Sequence, residues 1–544
     1  MCRCGAALIA GMLLWATAAH ADGATAVPAQ AASQVSRVAA PGFRFTTPAA
    51  AAAQTADTLQ LLSPIGVPVP GLLRITGDLA VIEPDVPLSG CTTYTLQRTA
   101  PAQRSAFTTT CSAWSAPVQI DDARTARQVD LPVNGVQVAA ARDGGFIAVW
   151  FQDDGGRRAI LASHFNADTQ NWSAPQAIDL HGPLAGASSI PAIVADAQGQ
   201  ITVVWFQLVD GRDGIFSARW QGAAWTPPQR LDSPTLPGNA TNPQLAADAA
   251  GNVTVVWQQP DGRHTGIYAA HWLSARHRWQ AAQRVDRLSA SAYNPVVAAT
   301  PGGHVVAAWQ QGVSGHEGVY AAALPGAGGK WAAPERLSPA GATATSAALV
   351  ATPQGEVVAA WTQGRGDARR IAVRSALPGA GPQWSGVRLL QSAAFNGPAV
   401  SPVLAADAAG NIVLVWGQAD AARSGVQREA MLCARWQAAT RRWKAPQQID
   451  NPALRSAGNP VVVVDSAGNV HAAWYQDGPQ GMQVETARYD PSQHRWLAPQ
   501  TLSDPDATVQ ASFPALAVNP AGSVMAVWQQ FNGWRTIAVA RWLP

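Results

Sequence analysis

Eight tryptophans, Trp150, Trp205, Trp257, Trp309, Trp361, Trp416, Trp474 and Trp528, recur 52 to 58 residues apart, each followed two positions later by a glutamine, from Gln152 to Gln530. Six residues before each Trp stands a glycine (Gly144 to Gly522), and four before it an apolar residue, with Val, Ala, Ile and Leu filling most of the gap. Apolar side chains on both faces of so short a run predict a strand buried on both sides. A second apolar run lies upstream, often opened by proline, as in Asn242-Pro243-Gln244-Leu245. The Asp-x-x-Gly-Asn turn between them, Asp248 to Asn252, has the Asx start and glycine of a tight hairpin. A third strand follows each W-x-Q, as in Ile267-Tyr268-Ala269-Ala270, and another Trp marks a fourth: Trp172, Trp225, Trp279, Trp331, Trp384, Trp443 and Trp496. Four short antiparallel strands per repeat of about fifty residues predict a propeller blade.

The expected fold is therefore all-β, an eight-bladed β-propeller of four-stranded antiparallel blades. The last repeat stops after its third strand, whereas Trp114-Ser115-Ala116-Pro117 precedes the first complete repeat and matches Trp172-Ser173-Ala174-Pro175. An N-terminal strand completing the last blade would close the ring and leave no open edge; the alternative is an open solenoid.

Upstream of the repeats, residues 1–21 read as a secretory signal peptide: Arg3, an apolar run from Ala6 to Ala19, then Ala19-His20-Ala21. Residues 22–60 are Ala- and Pro-rich and read as a flexible leader, 61–111 as a small β element, and 112–544 as the propeller. No later stretch approaches the roughly twenty apolar residues a membrane span needs. The expected location is the periplasm or the exterior, and the expected state a monomer. In an oxidising compartment Cys91 and Cys111 can close a local disulfide, with two free thiols as the alternative, while Cys433 falls in a strand and reads as a buried, inert thiol.

Net charge is +3, and 13% of residues are charged, with no basic block, so no nucleic-acid footprint is present. No His-x-x-x-His or Cys-x-x-Cys spacing occurs among the mature residues, so neither zinc nor any other cofactor is expected. Gly312-Val313-Ser314-Gly315-His316 falls short of a nucleophile elbow.

The run from Ala246-Ala247-Asp248 through Trp257, Gln259 and Asp261-Gly262 resembles the unit of a set of exported bacterial W-x-Q repeat propellers, mostly uncharacterised. That resemblance covers about 430 residues and implies fold and export, without an activity. A more distant one is to sialidase-like propellers, whose blades carry an S-x-D-x-G-x-x-W turn. Here Asp and Gly are three apart instead of two, and Trp lies six beyond Gly instead of three. A third is to quinoprotein dehydrogenases, exported and eight-bladed, again with different Gly-to-Trp spacing and without a vicinal cysteine pair.

A residue type present in every repeat reads as architecture, so the eight W-x-Q tryptophans are assigned to packing between blades. Charges gather in the loops between second and third strands, and Asp154, Arg158, Asp210, Arg212, Asp261, Arg263 and Glu317 are the candidate ligand-binding residues. No catalytic residue is assigned. The expected function is a non-catalytic binding propeller that recognises a glycan or a protein through this loop face; the alternative is a glycoside hydrolase or lyase, sialidase-like, built on the same ring.

Overall fold

A computed structural model describes residues 24–27, 32–35, 40–56, 58–85, 88, 92–99, 102–109, 114–121, 134–153, 157–181, 185–287, 289–313, 315–326, 328–377, 383–392, 394–420, 428–479, 481–503, 510–531 and 536–543. The chain divides into two compact units, residues 1–112 and 113–544. Cys91, Cys111, Asp154 and the expected signal peptide lie outside the described residues.

The first unit holds two four-stranded sheets and a short helix, Pro48–Ala52. One sheet runs Thr25–Val27, Gly42–Arg44, Leu79–Pro84, Gly71–Thr76; the other runs Ala32–Val35, Ala102–Thr109, Thr93–Thr99, Leu59–Leu62. Thr93–Thr99 and Ala102–Thr109 alternate buried and exposed positions, the period-2 pattern of a half-buried hairpin. Phe43 and Phe45 of one segment meet the buried Arg98 of the other sheet, whose guanidinium lies 5.7 and 5.3 Å from the two rings. Part of the stretch expected as a leader thus forms strands, each of three or four residues and so too short to carry a periodic signal.

The second unit is all-β and propeller-like: successive four-stranded antiparallel sheets, one per repeat. In the third repeat the order is Thr241–Ala247, Val253–Pro260, Thr265–Leu273, then an outer strand in two pieces, Arg278–Trp279 and Gln283–Arg284. The hairpin turn forms as its residues dictate. Asp248 Oδ1 accepts the N–H groups of Ala250 and Asn252, both at 2.9 Å, Asn252 Nδ2 donates to Asp248 Oδ2 at 2.8 Å, and Gly251 takes φ +80°. Asp407–Asn411 and Asp465–Asn469 repeat the same bonds.

All eight W-x-Q tryptophans are fully buried. Trp205 packs with Val149, Phe151, Ile160 and Ile178 of the preceding repeat, so each indole fills the space between neighbouring sheets. Every inner strand packs on the inner strand of the next repeat, and the last, Gln510–Val518, packs on the first, Asn134–Ala140. Trp150 of the first repeat shares a core with Met525, Val527, Ala538 and Ala540 of the last. The outer strand of the last sheet comes from the N-terminal side: Val118 pairs with Ala540 and Gln119 with Val539, antiparallel.

Candidate functional site

Because the sheets are antiparallel, the loops between second and third strands and the connections into the next repeat share one end of the sheets. Arginines and carboxylates crowd this end, and the hydrogen bonds show what they do. Arg157 donates to the carboxylate of Asp179 at 2.6 and 3.2 Å and to the carbonyls of Leu180 and Gly186. Arg212 donates to Leu236 O at 2.5 Å and Pro234 O at 2.8 Å, Arg370 to Asn396 O and Gly397 O, and Arg428 to Asp450, Asn451 O and Leu454 O. In each case the guanidinium fork gathers carbonyls of the connecting segment, which lacks a ladder of its own.

The other candidates fall into turns or beside these staples. Asp210 and Gly211, at φ +52° and +76°, form the two-residue turn between their strands, the backbone that Asp-Gly favours. Asp261 accepts the backbone N–H groups of Arg263 and His264 and the Arg284 guanidinium at 2.7 Å, and these bonds hold its carboxyl down at about 2. Arg263 itself is exposed, and the Glu317 carbonyl accepts the N–H of Ala344. Arg158 lies 5.9 Å over the Phe151 ring, and across from it Asp213 is raised by burial and partly drawn back by Arg158.

The connecting segments carry a regularity of their own. An apolar residue followed by Asp or Ser ends most outer strands, as in Leu231-Asp232, Val285-Asp286, Leu337-Ser338 and Ile449-Asp450. The second side chain accepts a third-strand N–H: Asp232 from Ile215, Asp286 from Ile267, Ser338 from Val319, Asp450 from Met431. In the last repeat Asp121 takes this part, accepting from Ala538 N at 3.2 Å.

A second feature of this end is the backbone of the inner strands. Each carries a register shift, the second repeat two, and at a bulge in each φ turns positive: Gly135, Ile190, Asn242, Asn294, Ser346, Ser401, Asn459 and Phe513, between +48° and +64°. Six of the eight precede a proline, a dipeptide that the sequence offers only as a strand opener. Ile190 and Phe513 are 42% and 52% exposed. These residues open onto a cavity of about 540 Å³ lined by Gly135, Phe151, Ile190, Ser401, Asn459, Phe513 and Gln529, with prolines 402, 460 and 514 between them. Its walls come from the inner strands of the first, second, sixth, seventh and eighth repeats, with Phe151 and Gln529 from the second strands of the first and eighth.

In the sixth and seventh repeats, whose Ser401 and Asn459 line this cavity, Glu429 folds over Gly417, where a Cβ would meet its Oε1 at 2.0 Å, and Tyr475 reaches over Gly458. Burial raises the Glu429 carboxyl against the opposing pull of Arg369, and burial and then Glu429 raise Tyr475. Among the described residues no three His, Cys, Asp or Glu side chains are grouped to hold a metal ion, and no helix is long and apolar enough to cross a membrane.

No protein-family model and no curated protein sequence matches the chain. Solved structures similar to it include a protein of unknown function from Dyadobacter fermentans (14% identity, 59% of this chain and 97% of that one, TM-score 0.36). An alpha-L-arabinanase of Penicillium chrysogenum complexed with arabinobiose is similar at 10% identity, over 55% and 92% of the two chains, TM-score 0.38. A leech intramolecular trans-sialidase is similar at 7% identity, over 89% and 91%, TM-score 0.38.

Proposed function

We propose that residues 113–544 form a closed ring of eight blades and that the protein is an exported, non-catalytic binding propeller, recognising a glycan or a protein at the centre of its loop face. Closure is supported by the pairing of Val118–Gln119 with the last repeat and by the core that the first and last repeats share. The observation that carries the binding reading is the cavity of about 540 Å³, within the usual size range of ligand sites, framed by inner strands of five repeats. Recognition moves from the loop charges to this opening because Arg212, Arg157 and Asp261 already serve the connections between blades.

In this reading residues 1–21 direct export to the periplasm or beyond, and Cys91 and Cys111 form a disulfide there. A thermal-shift screen of the mature protein against oligosaccharides and envelope proteins tests it. A ligand at a hundred times its Kd stabilises the fold by about 2.7 kcal/mol, and Phe513→Asn is expected to remove that shift. A shift that survives Phe513→Asn overturns the central location.

A second reading, a glycoside hydrolase or lyase, is favoured by Glu429, whose carboxyl is raised by burial beside Tyr475 and Arg369. Perturbed carboxyl groups at an opening are a common mark of acid–base sites. Turnover of a chromogenic glycoside that Glu429→Gln abolishes would establish this reading in place of the first.

A further inference from the structure

Resting on the reading of the central cavity as the recognition site, we propose that its ligand is a neutral saccharide, with the apolar face of one sugar ring on Phe513 and Ile190 and a hydroxyl donating to Gln529. Three observations converge. The fold does not require bulky side chains at the left-handed bulges, because Gly135 fills one and asparagine, which tolerates this backbone, fills three. Phe513 and Ile190 are the costly choices there, and both flank Gly135 with their side chains about half exposed. Strain of this kind at a cavity rim points to what the side chains touch.

Second, Gln529 is 9% exposed and lines the cavity, yet its Oε1 has no hydrogen-bond partner among the described residues. At the matching position in the third repeat, Gln258 Oε1 accepts the N–H of Asn294 at 3.0 Å. A buried acceptor left without a donor in the protein calls for one from outside it, and a ligand hydroxyl supplies it here. Third, the facing wall offers Ser401 and Asn459, both exposed and uncharged, and no charged side chain is among the residues that line the cavity. A ligand with an apolar face, a hydroxyl rim and no charge matches this lining.

The test is isothermal titration of the mature protein with hexasaccharides of glucose, xylose, arabinose and mannose, beside acidic oligogalacturonate and an unstructured peptide. At least one neutral hexamer is expected to bind, Phe513→Asn to weaken it tenfold or more, Gln529→Leu several-fold, and Val313→Ala, exposed in an outer loop, not at all. Asparagine suits the left-handed backbone, so Phe513→Asn keeps the fold. No binding to any neutral hexamer, or binding indifferent to Phe513→Asn, overturns the proposal. Oligogalacturonate or peptide binding that Phe513→Asn abolishes would overturn the neutral saccharide and leave the cavity as the recognition site.

Discussion

Gln311 accepts the indole N–H of Trp309 at 2.8 Å and, through its Nε2, donates to the carbonyl of Ala290 at 2.6 Å in the connection from the preceding repeat. The same bond from Trp to Gln recurs in all eight repeats, and Gln207, Gln259, Gln418 and Gln476 also pass their Nε2 to connecting carbonyls. In these five repeats the motif is therefore a relay that pins the sheet to the segment entering it. Gln311→Leu leaves a buried indole N–H and a carbonyl unpaired and is expected to lower stability by about 1–3 kcal/mol. Trp309→Phe costs packing as well, and the double variant is expected to cost less than the sum, since both act on one bond. Urea unfolding of the three variants reads this.

Asp121 extends the argument to the seam. Its Oδ1 accepts Ala538 N–H, and its Oδ2 faces Gln152 Nε2 at 3.4 Å, so one carboxylate ties the last repeat to the first. Asp121→Ala is expected to destabilise the second unit by about 1–3 kcal/mol, and Asp286→Ala, inside the chain, by a similar amount. Indifference to Asp121→Ala beside a loss at Asp286 would argue against the seam.

Much of this architecture is legible in the sequence. Trp, Gln and the turn glycines announce four strands per repeat because each has one geometric task that few other residues perform. The charged loop residues are legible only in part: Arg212 reads as a ligand-binding charge, and the carbonyls of Pro234 and Leu236 that it gathers in the next connection are visible only in the structure. The bulges at Ile190 and Phe513 are silent for a different reason: a positive φ belongs to the backbone, and nothing in an Ile-Pro or Phe-Pro pair announces it.

Left-handed backbone at Ile190 costs about 1–2 kcal/mol, of which glycine recovers part after its own entropy loss. Ile190→Gly is expected to leave stability unchanged or raise it by up to about 1 kcal/mol while weakening ligand binding. Differential scanning calorimetry and titration on one sample separate the two effects. Lower stability together with intact binding would contradict the assignment of strain to function.

Two buried histidines set a pH dependence. Burial lowers His271 to about 4, and burial with Arg488 nearby lowers His471 to about 3, against an ordinary value of 6.5. Both stay neutral in the folded chain, so protons are taken up on unfolding below pH 6.5 and stability falls from there through the folded values. Between pH 7 and 5 the loss is about 2 kcal/mol per histidine. Urea unfolding at the two pH values is expected to show it, and His271→Gln to remove roughly half.

Thr92 and Thr109 join the ends of the hairpin in the first unit, with Thr109 N donating to Thr92 O at 3.0 Å and Thr92 N to Thr109 Oγ1 at 3.1 Å. In sequence Cys91 directly precedes Thr92, and Cys111 stands two residues after Thr109. Non-reducing peptide mapping of exported protein is expected to recover them cross-linked, and reduction to destabilise this unit by about 3 kcal/mol. Two alkylatable thiols would contradict the pairing.

The central cavity exists only if the ring closes, so closure is the claim to test most directly. Gln119 faces Val539 across the seam as Arg230 faces Phe216 within the second repeat. Cysteines placed at 119 and 539, and in a control at 216 and 230, are oxidised and mapped by mass spectrometry. A cross-linked 119–539 peptide at the yield of the control is the predicted result. A control that cross-links while 119 and 539 remain free thiols would contradict the closed ring.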